Sequence, residues 1–395
     1  MSKADHRRRW IREEGTEKSK ASFPELFFDL VFVFALVQLS HTLASDFTSA
    51  TAGEAGLLIL AIWWVWINTT WVTNLLDTER EAVRHMLFIL MFAGILMAIA
   101  LPEAFAEHAM AFAAIYSAMQ IGRSVFTSYA FLGSDRRSAV AFVRISIWMV
   151  ATGILWILGA LADFEGRVVL WGLAIAVEYA VPLIRYWVPG MGAAPEEALS
   201  LAGDHMAERC ALFVIICLGE TILTTGRNAV EHMGSDMTFV VFCSAFVSTV
   251  AMWWIYFHHG QEKAAEKAEN TGTPEAVAHN LFTYGHLPIV AGIILTAVGE
   301  DFSLSHSEDR GEATHIAAIL GGPALFLLGN IWVKVSAGSR FPLSHIIGLC
   351  LLAVISVASL ALPNYAISLC ATAALLVAAL WEYVALRRMS SAMQG

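Results

Sequence analysis

Apolar runs of about 20 residues recur from one end of the chain to the other, and each is long enough to cross roughly 30 Å of hydrocarbon. Twelve can be delimited, near residues 24–45, 54–76, 83–101, 105–131, 138–161, 166–188, 205–227, 237–258, 276–299, 313–336, 342–362 and 365–387. In lipid every backbone N–H and C=O must be satisfied internally, and segments of this length do so as helices. The expectation is an all-α polytopic membrane protein of about 12 transmembrane helices. Composition agrees: of the 395 residues 57% are hydrophobic and 15% charged, against about 45–50% and about 25% in soluble domains. Turn chemistry at Gly133-Ser134-Asp135, Ala162-Asp163, Pro189-Gly190 and Leu362-Pro363-Asn364 supports the divisions. The long polar connections are 189–204 and 259–275, too short for a soluble domain. No charged n-region with a cleavable apolar stretch opens the sequence, so the first helix is expected to remain in the mature chain.

Orientation follows from the distribution of Lys and Arg. With the N-terminus inside, the outer loops hold only Arg167, Arg227 and Arg310 of the 24 basic residues, while Arg123, Arg144 and Arg209 fall within spans. Both termini are therefore expected in the cytoplasm. The net charge of −10 then reads by side, with Glu103, Glu107, Asp163, Glu300, Asp301 and Glu308 among the acids assigned outside. Such a rim either concentrates cations or is what a positive-inside protein leaves there. Arg7-Arg8-Arg9 suits anionic lipid headgroups rather than nucleic acid.

The two halves of the chain resemble each other. Trp63-Trp64-Val65-Trp66 recurs as Trp253-Trp254-Ile255-Tyr256, and the run Glu81 to Phe88 as Glu275 to Phe282. Glu178-Tyr179 recurs as Glu382-Tyr383, and Ala93-Gly94-Ile95-Leu96 as Ala291-Gly292-Ile293-Ile294 after an insertion of about one turn. The organisation this implies is a basic cytoplasmic tail (1–22), a first six-helix repeat (23–188), a cytoplasmic linker (189–204), a second six-helix repeat (205–388) and a tail (389–395). An even span count puts the repeats parallel, as in transporters with an axis along the membrane normal. Glu25 then corresponds to Glu208.

Glu25-Leu26-Phe27-Phe28-Asp29-Leu30-Val31-Phe32-Val33, together with the run Glu208-Arg209-Cys210 to Leu218-Gly219-Glu220, resembles the bacterial low temperature requirement A (LtrA) family, and the resemblance extends over essentially the whole chain. It implies a multi-pass protein of the bacterial cytoplasmic (inner) membrane, linked by name to growth in the cold. The layout of Glu25 to Asp29 is also similar to the F-S-D motif in the first helix of a potassium and proton channel family built from six-helix repeats. Phe28 stands where that motif has Ser, and Leu212 where its second repeat has Asp.

Ionisable residues within spans cost about 2.5–3.5 kcal/mol each on insertion scales, so they face partners or cavities. The inventory is Glu25, Asp29, Glu178, Glu208, Glu220 and Glu382 against Arg123, Arg144 and Arg209. Glu25 and Asp29 share a helical face just after Pro24, where the helix dipole favours an anion. They read either as a proton-accepting or cation-coordinating pair, or as a capped helix start paired to Arg123 or Arg144. Glu178 and Glu382 are repeat mates at the depth of transporter substrate sites. Glu220, after the small Gly219, is expected in the outer half near Gln38 and His41.

Other chemistry finds little support. Cys210, Cys217, Cys243, Cys350 and Cys370 sit singly in apolar runs and read as small core residues, not as a disulfide framework or zinc site. His85, His279, His286, His345 and the pair His258-His259 can titrate near neutrality but show no metal-ligand spacing. No Walker or dinucleotide-binding glycine motif opens a helix, so no cofactor and no enzyme activity are expected. The residues favour a secondary transporter or an ion (proton/cation) pathway. The alternative is a non-transporting protein that binds membrane lipids or partners in cold or envelope adaptation.

Overall fold

The computed structural model describes residues 10–12, 20–195, 198, 202–231, 236–257, 277–338 and 341–394. Arg7-Arg8-Arg9 and His258-His259 lie outside the described residues. Twelve long α-helices form among them: α1 Phe23–Ser45, α2 Ser49–Leu75, α3 Glu81–Ala100, α4 Ala109–Phe131, α5 Arg136–Leu161, α6 Phe164–Ala180, α7 Gly203–Glu231, α8 Asp236–Phe257, α9 His286–Ser305, α10 Ala313–Ser336, α11 Leu343–Ala358 and α12 Asn364–Gln394. The described residues contain isolated β-bridges but no strand.

Ten of the hydrophobic segments are long and apolar enough to cross a membrane. The helices that fall short are α4 and α7, and the reason is visible in their buried residues. In α4, Tyr116, Gln120, Arg123, Ser124 and Thr127 line one face, all buried. In α7, His205, Arg209, Thr221, Thr225 and Asn228 are likewise buried. Both helices turn polar side chains inward, which lowers their mean hydropathy, and α7 also carries the exposed charges Asp204 and Arg227.

Local signals start and stop the helices. Asp135 caps α5 by accepting from Arg137 N, and Asp163 caps α6 by accepting from Gly166 N. Gly133 and Gly190 take the positive φ that their turns need, at 91° and 79°. The expected ninth span, 276–299, is longer: a π-helical turn, His279–Tyr284, precedes α9, which continues to Ser305. Glu300 and Asp301, assigned to an outer loop by their charge, are helical, and Glu300 is buried.

The chain divides into two compact units: Met1–Leu39, Ala50–Arg209 and Ala268–His279 in one; Ser40–Ser49, Cys210–Lys267 and Asn280–Gly395 in the other. In the first unit α3 packs on α4, α4 on α5 and α5 on α6. Trp63, Trp64 and Trp66 are buried there, so these rings fill the interior rather than mark an interface. In the second unit α9 packs most closely on α10, and α8 and α11 pack on α12. A methyl on Gly292 would lie 2.4 Å from Phe326 N, and one on Gly322 2.4 Å from Thr296 N, so only glycine permits this crossing. Gly219 has no such role, since a methyl there would meet nothing within 4 Å. Of the cysteines, Cys210 and Cys217 are buried, but Cys243 and Cys350 are exposed, against the expectation of core residues throughout.

Candidate functional site

The first unit holds two polar clusters. At the start of α1, Ser22 and Glu25 form a capping box: Ser22 N donates to Glu25 Oε2 at 2.8 Å, and Glu25 N donates to Ser22 Oγ at 3.4 Å. Asp29, one turn on, accepts from Trp66 Nε1 at 2.7 Å. Arg209 bridges both acids, at 2.9 Å to Glu25 Oε1 and 2.5 Å to Asp29 Oδ1, and also donates to Thr73 Oγ1 at 3.2 Å. His205 Nε2 lies 3.1 Å from Glu25 Oε1. The two acids, Arg209 and His205 are all at most 1% exposed.

The cation that holds Glu25 and Asp29 is therefore neither Arg123 nor Arg144. Arg144 donates to Met191 O at 2.5 Å and Gly192 O at 3.0 Å, closing the loop after α6. Glu208, which corresponds to Glu25 in the sequence comparison of the two halves, is half-buried and accepts from Ala21 N at 3.1 Å. Two carboxylates sharing one guanidinium, with indole, hydroxyl and imidazole groups around them, make a nearly closed ion-pair cluster. Asp29 Oδ2 is the carboxylate oxygen of the cluster left without a charged or hydrogen-bonding partner among the described residues.

The second cluster lies between α4, α5 and α6. Glu178 accepts from Tyr116 OH in a short hydrogen bond and from Trp156 Nε1 at 3.2 Å. Gln120 Nε2 donates to Tyr116 OH at 3.1 Å, and Arg123 donates to Gln120 Oε1. Arg123 completes its bonding on α2, through Thr69 Oγ1 at 3.1 Å and Val65 O at 3.3 Å. The result is a buried chain, Glu178 to Tyr116 to Gln120 to Arg123, in which neutral groups stand between the acid and the base. No basic residue among the described ones lies within ion-pair distance of Glu178. A cavity with ≈ 20 Å³ of room, about one water, adjoins Arg123 between Trp71, Tyr186 and His279.

In the second unit the same positions are wired differently. Lys334, assigned by sequence to a cytoplasmic segment, is buried in α10 and pairs with Glu382 at 2.5 Å, with His345 Nε2 at 3.3 Å. It also reaches Ile255 O at 3.5 Å, where Ile255 is the sequence mate of Val65. The aromatic mates agree: Trp64 lies 4.4 Å from Tyr179, and Trp254 lies 5.7 Å from Tyr383, centroid to centroid. His286 Nδ1–H donates to Leu281 O at 2.8 Å, which leaves Nε2 to accept from Tyr256 OH at 3.0 Å.

The remaining sequence candidates are dispersed. Gln38 is half-buried on α1 and Glu220 half-buried on α7. Glu220 lies near enough to His41 to act on it electrostatically. Sequence reasoning missed His205, Lys334 and Glu300. A lysine or histidine at the end of an apolar run reads as a boundary, and adjacent acids read as a loop.

The family model for the bacterial low temperature requirement A protein (LtrA) matches residues 20–380. The chain belongs to the LtrA family. The resemblance carried by the Glu25 to Val33 run is thereby borne out. This LtrA-family chain is also 53% identical over 388 residues to the uncharacterized protein RA0937 of Rhizobium meliloti (strain 1021), covering 98% of this chain and 95% of that protein. No solved structure matches it.

Proposed function

We propose that this LtrA-family protein provides an ion pathway or secondary transport route for protons or cations, with Glu178 as its intramembrane ionisable step. The observation that carries the reading is the contrast between repeat mates. Glu382 is neutralised by Lys334 at 2.5 Å, whereas Glu178 is held by Tyr116 and Trp156, which carry no charge. A carboxylate fixed to a cation keeps its charge; one held by hydroxyl and indole donors in low dielectric is free to gain and lose a proton. Tyr116 and Gln120 link Glu178 by hydrogen bonds to Arg123 and hold the acid in place.

Further parts of the reading rest on the same features. The equivalent contacts of Trp64 with Tyr179 and Trp254 with Tyr383 support two six-helix repeats, while their parallel arrangement and the cytoplasmic termini rest on the even span count and the distribution of Lys and Arg, and the bacterial inner membrane on the family. The partners of the route are a small ion or solute and the surrounding lipids, not nucleic acid, and the protein is not an enzyme. Its link to growth at low temperature comes from the family name.

The test is flux in proteoliposomes under a potassium gradient with an internal pH dye. Glu178→Gln is expected to abolish flux while the protein stays folded, and Glu382→Gln to act through stability instead. Unchanged flux in folded Glu178→Gln would sink the assignment. A second reading, lipid or partner binding without transport, is favoured by the closed Arg209 and Lys334 ion pairs. It predicts no flux from wild-type protein that is folded and inserted.

A further inference from the structure

Glu300, on α9 in the second unit, is 5% exposed. Its Oε2 accepts from Thr225 Oγ1 on α7 at 2.8 Å, and among the described residues its Oε1 has no hydrogen-bond partner. The other buried glutamates and aspartate of the spans are better provided for: Glu25 and Asp29 share Arg209, Glu382 holds Lys334, and Glu178 has two neutral donors. Among the described residues, a buried carboxylate with one hydroxyl partner and no cation is the least compensated of these acids. Removing an ionised carboxylate from water costs several kcal/mol, and the group avoids that cost by taking up a proton.

Charges do approach this end of α9, but none among the described residues pairs with Glu300. Asp301, the next residue, accepts from Asn228 on α7. Also on α7, Arg227 is bonded to His41 at 2.9 Å, and Glu220 acts on the same histidine. On α10, His315 stacks on Phe302 with centroids 4.3 Å apart and pairs with Glu312 at 3.4 Å. From α12, Tyr365 meets the following loop through its N–H to Ser307 O. On α8, Thr249 faces Thr221 of α7 at 3.5 Å and is uncharged. Thr225 suits either state of the acid, since a hydroxyl donates to a carboxylate and accepts from a carboxylic acid.

We infer that Glu300, with Thr225, forms a second proton-binding site, in which Glu300 carries its proton at neutral pH. The ligand is the proton itself. The site stands apart from the transport reading, because its occupancy is an equilibrium property that needs no flux.

Infrared spectra of the protein in an ester-free detergent test this. Wild type at neutral pH minus Glu300→Gln should leave a protonated-carboxyl C=O band of a single group that moves down in D₂O. Thr225→Val should move that band to higher frequency without loss of amplitude, because the carboxyl loses its hydrogen bond. A folded Glu300→Gln protein with no such difference band would overturn the inference. If Glu300→Gln does not fold, Thr225→Val decides alone: an unmoved band overturns it and a shifted one supports it. Glu178→Gln, measured in parallel, separates the two carboxyls, so loss of the transport reading leaves this result intact.

Discussion

Arg209 is the residue on which the first unit's buried charge turns. It pairs with two carboxylates that are both fully buried, so removing it leaves Asp29 without its cation and Glu25 with Arg12 at 4.0 Å. Breaking a buried pair by deleting one partner costs about 3–5 kcal/mol. Arg209→Met should therefore lower the thermal midpoint in detergent by the equivalent of at least that range. The triple variant Glu25→Gln, Asp29→Asn, Arg209→Met should regain most of the loss, since replacing a whole buried ion cluster is often neutral. Equal midpoints for wild type and Arg209→Met would show that these contacts contribute nothing to stability. At this scale the sequence was half legible. The helical spacing of Glu25 and Asp29 put them on one face, and Pro24 marked a helix start. Their cation was not legible, because it lies 180 residues from Asp29 in the chain and nothing in local pattern distinguishes it from Arg123 or Arg144. Glu300 was misplaced for a related reason: Glu300-Asp301 looks like a loop until its helix is seen to run on to Ser305.

Among the elements, the α9 and α10 crossing leaves the least room. Gly292 and Gly299 on one helix face Phe326 and Ile319, while Gly322 and Gly329 on the other face Thr296 and Ile289. In each case a methyl would meet backbone within 2.7 Å, and backbone cannot move aside as a side chain does. Gly292→Ala and Gly322→Ala are each expected to cost about 1–3 kcal/mol or more by overpacking, measured as a lower thermal midpoint. Gly226→Ala on α7, where a methyl meets nothing within 4 Å, should leave the midpoint unchanged or raise it by up to about 1 kcal/mol. A Gly322→Ala protein as stable as wild type would mean that the helices can part without loss. Helix existence was legible here, because apolar length alone marks a span. Helix ends were less so: the π-helical turn at His279–Tyr284 adds residues before α9 that no period in the sequence announces. Nor did pattern separate Gly219, which faces open space, from the glycines that make contact.

For the whole molecule, twelve helices that all cross would return the chain to its starting side. Reporter fusions at the N- and C-termini are expected to read the same, cytoplasmic, compartment. Opposite readings would mean that one helix does not span, with α4 and α7 the first to examine because they are the least apolar. The correspondence of the tryptophan and glutamate landmarks between the two halves is a property of the sequence alone. The different surroundings of Glu178 and Glu382 were not legible there, because an acid joined to its base through Tyr116 and Gln120, and one joined directly, follow from side-chain position rather than residue type.

The ion cluster of α1 also has a history within each molecule's synthesis. Asp29 leaves the ribosome long before Arg209, and at roughly 5–20 residues per second the wait is about 10–40 s. During that interval Asp29 is without its cation, while Arg12, made earlier, stands 4.0 Å from Glu25 in the finished fold. Trp66 arrives sooner, 37 residues after Asp29, and offers the first internal donor. The newly made helix must thus remain near water or within the insertion machinery until the seventh helix emerges, so the order of translation sets when the first helix can finally settle.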